Sequence, residues 1–173
     1  MTVTTIPTAG ITDATIVTAD LADDAVTAAK AAFSPGKIGQ IVYGQTYTQV
    51  SSSSNSYVDT GITATITPSA TSSTIQIFVG IMGLQSAGTT NARMDFQILR
   101  AGTGITTSGA NMWDQSGNNT HRNGGFAMNW KDSPSSTSSL IYKVQFKAVE
   151  GTCEVQRDGN SGYSTITLME VLA

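Results

Sequence analysis

Nine consecutive residues decide the fold class of this chain: Leu140-Ile141-Tyr142-Lys143-Val144-Gln145-Phe146-Lys147-Ala148. Every second side chain is apolar or aromatic, and this side consists of Leu140, Tyr142, Val144, Phe146 and Ala148. The other side carries Lys143, Gln145 and Lys147. Successive side chains of a strand point to opposite faces of a sheet, so this period of two predicts a β-strand with one buried and one solvated face.

Similar segments recur through residues 37–173 and are separated by turn residues. The run 74–84 is apolar and β-branched almost throughout, which is typical of a central strand. We expect the tetraserine 51–54 to break the first segment and residues 126–130 to form a short fifth strand. The predicted strands lie at 41–50, 57–67, 74–84, 92–100, 126–130, 140–148, 152–157 and 163–172. About eight short strands joined by turns predict an all-β fold, an antiparallel β-sandwich or jelly roll.

The composition excludes several classes of protein. Charged residues make up only 12% of the 173 residues, and 45 positions carry Ser or Thr, which favour strands and turns over long helices. The longest apolar stretch, 75–84, is ten residues long and too short to cross a bilayer. The start of the chain lacks the basic and apolar regions of a secretory signal. We therefore expect no helical bundle, no membrane partner and no export by that route.

Residues 1–36 differ from the rest of the chain. Large aliphatic side chains recur there every five residues, at Ile6, Ile11, Ile16, Leu21 and Val26. This spacing fits neither a helix nor a strand, and five side chains cannot offset the ordering entropy of about 30 residues at roughly 1–2 kcal/mol each. We therefore predict an extended N-terminal arm that packs on partner chains, with a short helix over 22–33 as an open alternative. Ser34-Pro35-Gly36 marks its boundary with a β-sandwich domain over 37–173.

The net charge of −3 lies entirely in this arm, which holds one basic residue, Lys30, and four acidic residues, Asp13, Asp20, Asp23 and Asp24. The remaining residues balance their acids and bases. A neutral, sparsely charged body offers no basic surface for a phosphate backbone, so nucleic acid is not an expected partner.

The residues that could carry chemistry are few. His121 is the only histidine and Cys153 the only cysteine, so the chain can form neither an internal disulfide nor a Cys/His zinc site. Cys153 is expected to be a small packed hydrophobe, and His121 lies in a loop without a pattern that marks a nucleophile and an orienting carboxylate beside it. We predict no catalytic residue, no metal and no cofactor.

The segment 101–125 is the candidate recognition loop. It is rich in Gly, Asn, Ser and Thr, and it holds an aromatic side chain among amides: Trp113, Asn118, Asn119, His121 and Arg122. Such a combination suits contact with a sugar or with another protein surface. The alternative is that Met112 and Trp113 pack into the sandwich and that the amides are solvated.

Several motifs resemble those of bacteriophage virion proteins. The decapeptide 21–30, Leu-Ala-Asp-Asp-Ala-Val-Thr-Ala-Ala-Lys, resembles a repeat common in phage fibre and head-fibre proteins, where such stretches run beside their symmetry mates. The body resembles small tailed-phage virion proteins through Tyr57-Val58-Asp59-Thr60-Gly61-Ile62, Asp132-Ser133-Pro134-Ser135-Ser136-Thr137-Ser138 and Ser164-Thr165-Ile166-Thr167-Leu168-Met169-Glu170.

The resemblance implies a homotrimeric structural protein located on the virion, without enzymatic activity. It would be a capsid decoration, or cement, protein whose arm contacts the major capsid protein or tail and fibre subunits. The alternative is a receptor-binding tail-fibre or head-fibre tip that recognises host surface polysaccharide through the 101–125 loop.

Overall fold

The computed structural model describes residues 37–87, 91–106, 113–115, 124–157 and 162–173. These residues form eleven β-strands and no helix. In chain order the strands are β1 (Ile38–Thr46), β2 (Val50–Ser52), β3 (Val58–Ile66), β4 (Thr74–Ser86), β5 (Ala92–Arg100), β6 (Thr103–Gly104), β7 (Trp113–Gln115), β8 (Gly124–Asp132), β9 (Leu140–Glu150), β10 (Cys153–Val155) and β11 (Ser164–Val171).

The strands form two antiparallel sheets. Sheet 1 contains β1, β2, β4, β8, β10 and β11, and sheet 2 contains β3, β5, β6, β7 and β9. The long strand β4 organises sheet 1, because β11, β8 and β10 all pair with it, while β1 pairs with β11. In sheet 2, β9 lies between β3 and β5.

The hydrophobic core fills the space between the sheets. Sheet 1 contributes Ile75, Ile77, Val79, Ile81, Ile166 and Leu168, and sheet 2 contributes Ile62, Ile66, Met94, Phe96, Ile98, Tyr142, Val144 and Phe146. The Phe96 ring in β5 stacks on the Phe126 ring in β8, with centroids 5.1 Å apart. Each fully buried side chain of this kind contributes about 1.5–3 kcal/mol, so the two apolar faces hold the sandwich together.

A buried polar group also joins the two sheets. The Arg100 guanidinium of β5 contacts both carboxylate oxygens of Asp132 in β8 at 2.8 Å, and the Tyr142 hydroxyl of β9 donates to the same carboxylate at 2.7 Å. Burial, together with the hydrogen bond to Asp132, raises the pKa of Tyr142 above its usual value. The phenol therefore remains a donor, and the carboxylate has partners from both sheets.

The all-β fold predicted from the sequence is confirmed. The face of 140–148 that was predicted to be buried lies in the core, where Tyr142, Val144 and Phe146 are fully buried. A tight hairpin turn follows Arg100, where Ala101 (φ 48°) and Gly102 (φ 86°) connect Arg100 to its partner Thr103.

Some strand boundaries differ from the prediction. The first strand begins at Ile38 and ends at Thr46, and Ser51 does not break a strand but lies in β2, opposite Glu154 of β10. The fifth long strand, β8, has nine residues instead of being short, because its whole length pairs with β4. The segment 101–124 contains the short strands β6 and β7. Strands β1, β2 and β8 pair with strands far away in the sequence, and this pairing overrides local propensity, whereas β6 pairs with β5 directly across the turn at Ala101 and Gly102.

Candidate functional site

One outer surface of the sandwich carries almost no charge. We define the outer face of sheet 1 as the side chains that alternate with the buried ones in β1, β4, β8 and β11. They are Ile41, Tyr43, Gln45, Thr74, Gln76, Phe78, Gly80, Met82, Gly125, Ala127, Asn129, Lys131, Thr165, Thr167, Met169 and Val171. Lys131 is the only charged residue of this set.

Cross-strand pairing arranges the large side chains of this face in adjacent rows. Tyr43 lies opposite Thr167, which in turn lies opposite Phe78, and Ile41 lies opposite Met169 in the next row. Ile41 and Tyr43 are each 56% exposed, and Phe78 is 39% exposed. From the usual strand rise and spacing, four strands of this length cover roughly 500–600 Å². The exposed apolar side chains cover part of this area, and the largest apolar patch on a monomeric protein is often an interaction site.

The outer face of sheet 2 has the opposite character. Asp59 of β3 forms an ion pair with Lys143 of β9 at 3.0 Å and accepts a hydrogen bond from Gln145 at 2.7 Å. Hydrogen bonds from Gln145 and Lys143 lower the pKa of Asp59. Lys147 lies 3.5 Å from Asp95 further along the same face. Sheet 2 therefore shows solvent a half-exposed ion pair beside the exposed apolar side chains of Ile141 and Val149, whereas the outer face of sheet 1 carries a single charge and is better suited to contact with protein.

Glu170 at the end of β11 is a buried carboxylate whose partners are all donors. Its Oε2 accepts from the Gln40 amide at 2.6 Å, and its Oε1 accepts from the backbone N–H of Ser69 at 2.6 Å and from the Ser69 hydroxyl at 2.7 Å. Burial by itself raises the pKa of Glu170, but these hydrogen bonds outweigh it and bring the pKa to about 2. The ionised carboxylate thus ties β1 and the segment that follows β3 to β11.

Cys153 lies in the core, as the sequence predicts. Its side chain is fully buried at the start of β10, and burial raises the pKa of the thiol to about 11. A buried thiol that stays protonated at neutral pH is a poor nucleophile and packs as a small apolar group.

Most of the site residues predicted from the sequence lie outside the described residues. This holds for the arm residues Ile6, Ile11, Ile16, Leu21 and Val26 and for the loop residues Asn118, Asn119, His121 and Arg122. Trp113 begins β7, where its backbone pairs with Met94 of β5. The roles assigned to the arm and the loop, and the boundary at residue 36, remain predictions.

The described residues hold neither a metal cluster nor a membrane-spanning helix. No group of three or more His, Cys, Asp or Glu side chains is placed to hold a metal ion in the part of the chain that the structure describes. No described helix is long and apolar enough to cross a membrane.

The outer face of sheet 1 was not predicted from the sequence, although the sequence contains a signal for it. Ile41, Val42 and Tyr43 are consecutive in β1, and Phe78 lies within the apolar run of β4. An antiparallel strand with one solvated face should alternate between apolar and polar residues, so a continuous run indicates that both faces are covered. In β4 the continuous run therefore indicates that a large side chain such as Phe78 lies on the second face, whereas in β1 the run does not show which of its large side chains points outward.

Comparisons with known proteins give no family. No family model matches the chain, and no curated protein matches it. Among solved structures, the chain is similar to Eiger TNF from S. frugiperda, with 12% identity and a TM-score of 0.43 over 81% of this chain and 94% of that chain. It is also similar to a chain of infectious bursal disease virus, Gt strain, with 12% identity and a TM-score of 0.43 over 81% of this chain and 39% of that chain.

A third similar structure comes from T=1 particles derived from infectious bursal virus, with 13% identity and a TM-score of 0.41 over 79% of this chain and 37% of that chain. The chain thus spans nearly all of Eiger TNF but about two fifths of each viral chain. Similarities of this size do not bear on function.

Proposed function

We propose that this chain is a non-enzymatic structural protein of a bacteriophage virion, a homotrimeric capsid decoration protein attached through its N-terminal arm. The observation that carries the proposal is the outer face of sheet 1, where Tyr43 and Phe78 are exposed and Lys131 is the only charged residue. Depletion of charge and enrichment in aromatic residues distinguish the core of a protein interface from the remaining surface.

In the proposed trimer, each copy contributes the outer face of sheet 1 to contacts with the other copies. Burying about 800 Å² per partner is usual for a stable interface, and the rows around Tyr43 and Phe78 supply a large part of that area. The charged outer face of sheet 2 then remains in solvent. The arm, with its aliphatic row, is left to contact neighbouring virion subunits.

The oligomeric state tests this arrangement. We expect light scattering coupled to size-exclusion chromatography to give about 54 kDa, three times the 18.0 kDa of the chain. Phe78→Lys should shift the mass toward 18.0 kDa, because a lysine ammonium would be desolvated in the contact.

Thr65→Lys is the matched control, since it places the same charge on the outer face of sheet 2, where Thr65 is exposed. This variant should remain trimeric, and circular dichroism should show both variants folded. A wild-type mass of 18.0 kDa would contradict the proposed trimer. A Phe78→Lys variant as trimeric as Thr65→Lys would show that the contact lies elsewhere.

Attachment through the arm is tested by deletion. A chain lacking residues 1–33 should fold as a soluble β-sandwich and should no longer decorate capsids in a co-sedimentation assay. The full chain, mixed with the same capsids, is the positive control. A truncated chain that occupies the capsids as fully as the intact one would place attachment on the sandwich instead.

A further inference from the structure

Sheet 2, which takes no part in the proposed trimer contact, contains a β-bulge in β3. Asp59 of β3 lies opposite Gln145 of β9, but the next pair is Thr63 with Lys143, so three residues of β3 lie opposite Val144 alone. Within the bulge, Gly61 has a φ of 82°, a value that favours glycine. Bulges re-aim side chains and occur frequently beside binding sites. Here the bulge prevents the outer face of sheet 2 from being flat.

A groove of about 400 Å³ lies beside this bulge. Apolar and polar residues both line it: the apolar ones are Leu99, Ala101 and Ile141, and the polar ones, which we call the polar rim, are Asp59, Lys143 and Gln145. A smaller hollow of about 90 Å³ at Gly61 and Ile62 shares Asp59 and Lys143 with it. An apolar surface with a few convergent polar groups is the usual form of a small-molecule site.

The polar rim is held in a fixed orientation by a chain of hydrogen bonds. Gln97 donates to Gln145 at 2.8 Å, Gln145 donates to Asp59 Oδ1 at 2.7 Å, and Lys143 donates to Asp59 Oδ2 at 3.0 Å. Each carboxylate oxygen can accept a second hydrogen bond, and an ammonium group has three donors. The Asp59 and Lys143 side chains are 50% and 45% exposed, so both can also contact a ligand.

We propose that this groove binds a neutral pyranose unit of a polysaccharide. A sugar hydroxyl is both donor and acceptor, so one hydroxyl can donate to Asp59 while it or its neighbour accepts from Lys143. The C–H face of the ring then lies on Ile141, which is 48% exposed. The opposite charges of Asp59 and Lys143 cancel, so the rim favours a neutral ligand over an anion. The groove lies on the other sheet from the proposed trimer contact, and the inference does not rest on the proposed function.

Amide chemical shifts of the full ¹⁵N-labelled chain test this inference. The neutral probes are the methyl pyranosides of galactose, glucose and mannose, used up to about 100 mM because a single sugar unit makes few contacts. Sodium glucuronate is the anionic probe. We expect saturable shifts from at least one neutral probe at the amides of Gly61, Gly102 and Lys143, and weaker binding or none from glucuronate.

Substitutions in the groove test whether the sugar probes bind there or at another site. Asp59→Asn should weaken the binding at least about ten-fold because the charged acceptor is lost. Lys143→Gln should also weaken it, because the ammonium donor is lost. Glu150→Gln is the matched control, because it removes a carboxylate from β9 that pairs with Arg93 at 2.8 Å and does not line the groove. The absence of saturable shifts with all neutral probes would overturn the inference. So would binding that shifts other amides only, or that Asp59→Asn and Lys143→Gln both leave unchanged.

Discussion

Replacing Glu170 by Gln tests directly whether the hydrogen bonds to its carboxylate stabilise sheet 1. The carboxylate of Glu170 is 1% exposed and accepts hydrogen bonds from Gln40 and twice from Ser69. An amide at this position has one acceptor oxygen and places an NH₂ group against the Gln40 amide. Gln40 cannot simply turn around, because its NH₂ group also donates to the backbone carbonyl of Thr67 at 2.8 Å.

The magnitude follows from the pKa of Glu170. It falls from 4.5 to about 2 on folding, and each pKa unit corresponds to 1.36 kcal/mol, so the ionised form contributes about 3 kcal/mol to the free energy of unfolding. Because the folded pKa is lowered, the unfolded chain binds more protons between these two values. The contribution is therefore fully present above the unfolded pKa and is lost as the pH falls toward 2. About 2 kcal/mol of it should disappear between roughly pH 5.5 and pH 3.

Urea unfolding followed by circular dichroism, at one protein concentration and at several pH values, measures this loss. The Glu170→Gln variant should be less stable than the wild type at pH 7 and should lose about 2 kcal/mol less on acidification to roughly pH 3. Glu150→Gln, which removes a partly exposed ion pair with Arg93, should keep the wild-type pH dependence. If Glu170→Gln and the wild type lose the same free energy between these pH values, the hydrogen bonds to Glu170 do not lower its pKa and the reasoning is wrong.

Two further predictions concern the interior. Gly44→Ala should lower the free energy of unfolding by about 1–3 kcal/mol, because the new Cβ would overlap the backbone carbonyl of Thr63. Urea unfolding measures this loss, and a variant that unfolds at the wild-type urea concentration would contradict it. Cys153 should react with Ellman's reagent at pH 8 at least about 100-fold more slowly in the folded chain than in urea. A pKa of about 11 leaves roughly one thiol in a thousand ionised at that pH. Equal rates in the folded chain and in urea would show that the thiol is accessible.

The sequence predicted the strands whose two faces differ in polarity. In β9 the alternation of Val144 with Lys143 and Gln145 identifies the strand and its buried side at once, because one face lies in the core and the other in water. In β1 both Val42 and Tyr43 are large, so the pattern identifies a strand but not the side that faces the core. Only the pairing with β11 shows that Tyr43 points outward.

Features that depend on distant partners were not predictable in this way. Ser51 carries no local signal for a strand, and it lies in one because Glu154 is opposite it. The bulge between Asp59 and Thr63 leaves only Gly61 as a trace in the sequence, and a glycine between strand residues can equally mark a tight bend or a close approach of two backbones. The candidate groove draws on β3, β5 and β9 together, so it exists only once sheet 2 has formed.

The pairing of β1 with β11 affects how the newly synthesised chain folds. Ile38 lies opposite Val171, 133 residues later, so the strand that borders β1 is synthesised long after β1 itself. Until then both edges of β1 are unpaired among the described strands, and its backbone N–H and C=O groups are available to any other nascent chain. Contacts between such distant residues slow folding to milliseconds or seconds. Sheet 1 is therefore expected to be completed late, and a chaperone that shields β1 until β11 pairs with it would raise the yield of folded protein.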